Sequence, residues 1–122
     1  MDAEPLELAG TDAGYTYPLV VRAIRSAGLT NAEIARATGV RERQVQNWAS
    51  GQSRPRDVSR DRLVDVHYLV QQLAEVYKPE GVDIWLHARN RALDGERPID
   101  LLAQGEFKLV LDAVNRLRSG AM

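Results

Sequence analysis

The sequence has no cysteine among its 122 residues, which excludes disulfide bonds, thiolate metal ligands and a cysteine nucleophile. This composition is compatible with a reducing cytoplasm. No apolar run approaches the roughly 18 residues that a membrane span requires. Residues 1–5 are acidic and lack the basic and apolar regions of a signal peptide. We therefore expect a cytoplasmic protein.

Side chains suited to catalysis are also scarce. The two histidines, His67 and His87, stand on predicted helices without a second ligand at metal-binding spacing. The acids Asp94, Glu96 and Asp100 fall in a predicted turn and at a helix start, where capping and solvation account for them. The chain is too short for an enzyme with separate cofactor and substrate domains. We expect no catalytic activity, no metal site and no cofactor.

The net charge of −1 is distributed unevenly along the chain. Residues 1–21 have a net charge of −4, residues 22–62 of +5 and residues 63–122 of −2. The middle segment contains four acids and nine arginines, namely Arg22, Arg25, Arg36, Arg41, Arg43, Arg54, Arg56, Arg60 and Arg62. Such a segment suits phosphate groups, whereas the acidic flanks indicate a protein partner for any second function.

Residues 29–48 follow the pattern of a helix-turn-helix. Ile34 faces inward on a first helix that Gly39 ends, and Val45 and Trp48 are spaced to face inward on a second helix. The other face of the second helix is polar and exposed. This arrangement is typical of DNA-binding proteins, which place the second helix in the major groove.

The polar face of the second helix repeats hydrogen-bonding side chains at i, i+3, i+4 and i+7, namely Arg43, Gln46, Asn47 and Ser50. Arginine can address guanine, and glutamine or asparagine can address adenine. The predicted DNA-binding residues are Arg41, Arg43, Gln44, Gln46, Asn47, Arg54 and Arg56, with Arg41, Arg54 and Arg56 as phosphate ligands. The alternative is a helix-turn-helix kept only as a packing scaffold. Glu42 favours that alternative, because its carboxylate repels phosphate unless it accepts a hydrogen bond from cytosine.

Helical periodicity without strand alternation predicts an all-α fold. Three helices are expected before residue 57: one from Tyr17 or Pro18 to Gly28, one capped by Thr30 with Glu33 completing a capping box, and one from Arg41 to Ala49. A fourth should extend from Asp57 or Ser59 to about Tyr77, where Pro79 and Gly81 close it. Beyond it we expect short helices at 82–86 and 99–102, a loop at 90–98 and an amphipathic helix at 107–117.

The fourth helix has more apolar surface than a small helical domain normally hides. It can bridge the two halves of one monomer, form part of a dimer contact, or do both. For Trp85, further along the chain, a core position is favoured over an interface.

A series in the last third of the chain has a distinctive spacing: Trp85-Leu86, then Asn90-x-x-Leu93-x-Gly95-x-x-Pro98-x-x-Leu101-Leu102, then Gly105, Val110 and Leu111. With this series the chain resembles the toxin-binding domain of Xre/MbcA/ParS-type antitoxins. The resemblance extends over residues 18–120, because a helix-turn-helix precedes that domain in the family as it does here. Family members often have a proline just before the asparagine, where this chain has Ala88-Arg89.

The resemblance implies an Xre-like helix-turn-helix followed by a small helical toxin-binding domain. The predicted divisions are a flexible arm at 1–15, the helix-turn-helix at 16–56, a long connecting helix at 57–78 that is also a candidate for dimerisation, and the toxin-binding domain at 79–122. It also implies a partner, a RES-domain toxin that attacks NAD by phosphorolysis, hydrolysis or ADP-ribosyl transfer and that the antitoxin blocks. The resemblance further implies that the protein represses its own operon by binding operator DNA, as a homodimer within a larger toxin-antitoxin complex.

The loop at 90–98 is expected to have a defined shape, because Gly95 permits a positive φ and Pro98 fits the first turn of a helix. The predicted toxin-binding residues are Arg89, Asn90, Arg91, Arg97, Arg116 and Arg118. Their guanidinium groups can pair with acids on a partner, or they are solvated surface groups. Two other functions stay open: a helix-turn-helix regulator without a toxin, and a protein-binding inhibitor whose helix-turn-helix no longer binds DNA.

Overall fold

The computed structural model describes residues 16–120, and the regular secondary structure in this range is helical. Seven α-helices and one 3₁₀ turn follow in order: α1 (Tyr17–Ser26), α2 (Asn31–Thr38), α3 (Glu42–Ser50), α4 (Asp57–Ala74), α5 (Pro79–His87), the 3₁₀ turn (Arg91–Leu93), α6 (Pro98–Ala103) and α7 (Phe107–Ser119). An isolated antiparallel bridge joins Asn90 and Glu96. The predicted all-α fold is confirmed. The predicted arm at 1–15 lies outside the described residues.

The boundaries of α2 follow from its capping residues. The Thr30 hydroxyl accepts a hydrogen bond from the Glu33 N–H at 3.1 Å, and the Glu33 carboxylate accepts one from the Thr30 N–H at 2.9 Å. This is the predicted capping box, which satisfies two N–H groups that the helix itself leaves unpaired. At the other end Gly39 has a φ of 79°, a conformation that glycine adopts without steric cost. The turn to α3 follows directly.

Helix α4 ends at Ala74, earlier than the predicted end near Tyr77. Pro79 disfavours helical backbone at Lys78, which has a φ of −70° and a ψ of 166°, so α4 cannot run on into α5. The chain leaves α4 through a turn in which the Tyr77 N–H donates to the Leu73 carbonyl at 2.9 Å. Pro79 therefore begins α5. The prediction that Gly81 also closes α4 was wrong, because Gly81 lies within α5.

The buried apolar side chains form one cluster that draws on both halves of the chain. Helix α2 packs against α6, and α4 contacts α1, α2, α5 and α7, so α4 bridges the two halves as predicted. On α4, Leu63, Leu69 and Leu73 are fully buried, and each contributes roughly 1.5–3 kcal/mol. Val45 and Trp48 of α3 are also buried, as predicted. The cluster is continuous across residues 56 and 78, and the proposed domain boundaries there stay predictions.

Among residues 16–120, no helix combines the length and apolarity needed to cross a membrane. Nor does this range place three or more His, Asp or Glu side chains where they could together hold a metal ion.

Candidate functional site

The polar stripe predicted on α3 is accessible. Arg43, Gln46 and Ser50 are exposed and Asn47 is half-buried, whereas Trp48 on the inner face is only 2% exposed. The Ser50 hydroxyl donates to the Asn47 carbonyl at 3.2 Å, so that side chain is held against its own helix. The stripe therefore offers Arg43 and Gln46 to a ligand more fully than its two other members.

A groove of about 890 Å³ lies beside this stripe, between the start of α1, the end of α3 and the start of α4. We call it the α3–α4 groove. Its lining includes three predicted DNA-binding residues, Gln44, Arg54 and Arg56. The Ser59 hydroxyl donates to the Arg56 carbonyl at 2.7 Å and accepts from the Arg56 N–H at 3.3 Å. These hydrogen bonds fix the backbone from which the Arg56 side chain extends.

The loop between α5 and α6 has a defined shape, as predicted, and Asn90 provides much of it. The Asn90 side-chain oxygen accepts the N–H two residues later at 2.9 Å, and its own N–H donates to the Glu96 carbonyl at 3.1 Å. Between these residues Asp94 and Gly95 have φ values of 57° and 82° and reverse the chain. The Arg89 guanidinium donates to the Gly95 carbonyl at 3.1 Å and braces the turn.

Two adjoining grooves, of about 380 Å³ and 350 Å³, lie on either side of Trp85 and Asn90. Trp85 is half-buried and lines both, so the expected core position for it was only partly right. Ile84 beside it is 68% exposed. The grooves are lined in part by three apolar residues, three arginines and an amide, which we call the Trp85 surface: Ile84, Trp85, Arg89, Asn90, Arg91, Arg116 and Leu117.

Four of the six predicted toxin-binding residues lie on the Trp85 surface, and two do not. Arg97 makes a bidentate ion pair with Asp100, with N–O distances of 2.8 and 2.9 Å. These hydrogen bonds from Arg97 lower the pKa of Asp100. Arg118 pairs with Glu75, just beyond the end of α4, at 2.7 Å. Both arginines therefore have intramolecular partners that a ligand would have to replace.

A contact between α2 and α5 was not foreseen from the sequence. The Nε2 atom of His87 lies 2.9 Å from the Glu33 carboxylate. The Nδ1 atom lies 2.9 Å from the Asp83 carboxylate and 2.8 Å from the Asp83 carbonyl oxygen. Partial burial lowers the pKa of His87, but the hydrogen bonds to the Asp83 carbonyl and to Glu33 outweigh it and raise the pKa overall. We call this the Glu33–His87 contact.

The surfaces described above belong to an all-helical protein with an exposed polar helix in its first half and an arginine-rimmed apolar surface in its second. Residues 72–120, which include the whole Trp85 surface, match the family described as the antitoxin Xre/MbcA/ParS C-terminal toxin-binding domain. This class of protein is the one that the spacing of the last third of the chain predicted.

Relatives extend the match to the first half of the chain. A probable mycobacterial cidal antitoxin, Rv3188, of Mycobacterium tuberculosis is 39% identical over 102 residues, covering 84% of this chain and 87% of the relative. The mycobacterial cidal antitoxin MbcA of Mycobacterium bovis is 32% identical over 98 residues, covering 80% and 87%. The chain therefore belongs to the Xre/MbcA/ParS-type antitoxin family.

A solved structure agrees in fold. The crystal structure of the Mycobacterium tuberculosis MbcT-MbcA toxin-antitoxin complex contains a chain that is 29% identical to this one and superimposes with a TM-score of 0.74. The superposition covers 88% of this chain and 98% of that one. The arrangement of helices is thus shared well beyond the segment that the family match covers.

Proposed function

We propose that this chain is the antitoxin of a type II toxin-antitoxin pair, that it blocks a RES-domain toxin that consumes NAD, and that it represses its own operon. It would act by binding and not by catalysis. The observation that carries the proposal is the Trp85 surface, because it lies wholly within residues 72–120, the part that matches a toxin-binding domain. That the related MbcA forms a complex with MbcT supports a toxin as the partner.

The chemistry of the Trp85 surface suits a protein partner. Trp85 and Ile84 supply apolar area, and aromatic and arginine side chains are the residues that most often dominate binding energy at interfaces. Arg91 and Arg116 line the same groove and can form charge-assisted hydrogen bonds with carboxylates of the toxin. By covering the entrance to the toxin's NAD site, such a contact would prevent substrate entry.

The test is co-purification with the protein encoded beside this chain, followed by an NAD-consumption assay with and without the antitoxin. Arg116→Glu should lose complex formation, because it places a carboxylate opposite the acids that the arginine would pair with. Lys108→Glu is the matched control: it makes the same charge change on α7, at an 85% exposed side chain outside both grooves. Equal weakening by both variants, or NAD loss that the wild-type chain does not suppress, would contradict the proposal.

For DNA binding, the support is the accessible stripe on α3 and the basic character of residues 22–62. Arg43 and Gln46 would read base edges, while Arg41, Arg54 and Arg56 would hold phosphates. Gln44 lies in the α3–α4 groove beside Arg54 and Arg56, where it can join the phosphate contacts. A homodimer would place two copies of α3 on half-sites about one helical turn apart.

A mobility shift with the chain's own upstream sequence tests this part. Arg43→Ala should weaken binding to that sequence by roughly 1–3 kcal/mol and relax the preference over unrelated DNA. Lys108→Ala, which removes one positive charge from α7, should leave the shift unchanged. If wild-type protein gives no shift but still neutralises the toxin, the helix-turn-helix serves only as a scaffold. If wild-type protein gives a shift but binds no toxin, the chain is a stand-alone regulator.

A further inference from the structure

The charged side chains that line the α3–α4 groove, among the described residues, are all positive. Arg54 and Arg56 line it and are exposed, Gln44 adds a side-chain amide, and Trp48 and Pro55 are buried beneath. No carboxylate occurs among the described residues that line it. With a volume of about 890 Å³ it lies within the upper part of the range that holds ligands in proteins. Its chemistry suits an extended anionic chain.

The chain itself supplies such an anion at the edge of this groove. Thr16 and Tyr17 are part of the groove lining, so residues 1–15 are attached directly to it. These residues include four carboxylates, Asp2, Glu4, Glu7 and Asp12, and no lysine or arginine. Asp12 precedes Thr16 by only a few positions, and at roughly 3.3–3.6 Å per residue it can reach about 13 Å from there.

We propose that residues 1–15 bind in the α3–α4 groove through their carboxylates and compete with DNA for Arg54 and Arg56. Carboxylates and phosphates use the same bidentate geometry on arginine, so the two ligands exclude each other. Because the segment is covalently attached, its effective concentration at the groove is on the order of millimolar, which makes even weak ion pairs competitive. The competition rests on the DNA binding proposed above, whereas the docking of the segment does not.

Docking is measured without DNA. Because the chain contains no cysteine, Ala9→Cys allows a nitroxide spin label to be attached at a single position of the full chain. We expect the label to broaden the amide NMR signals of Ser53, Arg54 and Arg56 selectively. A label at Lys108→Cys on α7 is the control and should leave those signals sharp.

A variant that neutralises the segment tests the electrostatic origin of docking. It carries Asp2→Asn, Glu4→Gln, Glu7→Gln and Asp12→Asn together with the label at position 9. The selective broadening should disappear in this variant. Broadening that persists in it, that spreads evenly over the protein, or that falls on the Trp85 surface instead would overturn the proposal.

Competition is then measured as affinity for the upstream DNA at fixed salt. The same four neutralising substitutions, without the label, should tighten binding about tenfold by removing the intramolecular competitor. A control variant makes the same change in net charge at four exposed acids of the second half: Glu80→Gln, Asp94→Asn, Glu96→Gln and Glu106→Gln. Equal tightening in both variants would mean a general charge effect and overturn the competition. If no variant binds DNA, the DNA-binding proposal fails, while the spin-label result still decides whether the segment docks.

Discussion

The Nε2 atom of His87 on α5 lies 2.9 Å from the Oε2 atom of Glu33 on α2, across a sequence separation of 54 residues. The other oxygen of the same carboxylate accepts the Thr30 N–H that begins α2. One side chain therefore caps α2 and joins it to α5, the helix that carries Trp85. The two halves of the chain meet at this contact as well as through their shared apolar core.

The Glu33–His87 contact should make stability depend on pH. Because folding raises the pKa of His87 above its ordinary value of 6.5, the imidazolium is favoured in the folded state. Its stabilising contribution is complete below pH 6.5 and is lost as the pH rises through the folded-state pKa. We expect the free energy of unfolding, from urea denaturation, to fall across this range in the wild-type chain and to fall less in His87→Gln.

His67 provides the control for that measurement, since burial lowers its pKa. Its contribution to stability is complete above pH 6.5 and is lost as the pH falls through the lowered pKa, which is a different window. His67→Gln should therefore keep the wild-type slope above pH 6.5. If His87→Gln also keeps it, the Glu33–His87 contact does not govern this dependence.

Thr30→Ala should destabilise the fold by about 0.5–2 kcal/mol, because it removes the oxygen that accepts the Glu33 N–H. The serine variant Thr30→Ser retains that oxygen and should lose much less. Thermal or urea unfolding of both variants measures the difference. Similar losses in the two would assign the effect to the missing methyl group and not to the cap.

Gly28 and Gly95 form a matched pair for testing the packing of α5. Both have positive φ values, 110° and 82°, so alanine strains the backbone at either site. A Cβ at Gly28 would lie 2.5 Å from the Asp83 carboxylate, whereas one at Gly95 would meet nothing within 4 Å. We expect Gly28→Ala to be the more destabilising, by on the order of 1 kcal/mol or more.

A double-mutant cycle separates the clash at Gly28 from the backbone strain. Asp83→Ala removes the side chain that the new Cβ would meet. The double variant should therefore lose less free energy of unfolding than the two single variants lose together. Additive losses would mean that backbone strain alone accounts for the cost.

Asn90→Ala should weaken toxin neutralisation by changing the loop next to Trp85, because it removes the oxygen that accepts the Ala92 N–H. Asn90→Asp retains an acceptor at that position and should keep most of the activity. The NAD-consumption assay with purified toxin measures neutralisation, and a mobility shift should show that DNA binding is nearly unchanged. Loss of both activities in Asn90→Ala would indicate general unfolding.

Dimerisation stays a prediction, and the groove between α1 and the end of α4 is where we expect it. This groove, of about 480 Å³, is mainly apolar and is lined by Ala23, Val70 and Val76 among others. Val76→Glu should give a monomer in light scattering at micromolar concentration. Val58→Glu alters a more exposed valine, at the start of α4 and outside that groove, and should leave the dimer intact. A monomeric wild-type chain would exclude the contact.

Local features of this fold were predictable because neighbouring residues decide them. Thr30 and Glu33 lie one helical turn apart, so their mutual capping follows from sequence spacing alone. The same is true of Gly39 at the end of α2 and of the turn at Gly95, where positive φ values select glycine. The family resemblance rested on such short-range spacing in the last third of the chain, and the match at residues 72–120 confirmed it.

What the sequence alone determined is therefore the set of helices, their caps and the membership of the antitoxin family. Tertiary structure decided which distant side chains meet, because a contact such as Glu33–His87 depends on how whole helices pack and leaves no periodic pattern. It also decided which arginines are available. Arg91 and Arg116 converge on one groove beside Trp85, whereas Arg118 pairs with Glu75, and only the packing of α7 against α4 separates these outcomes.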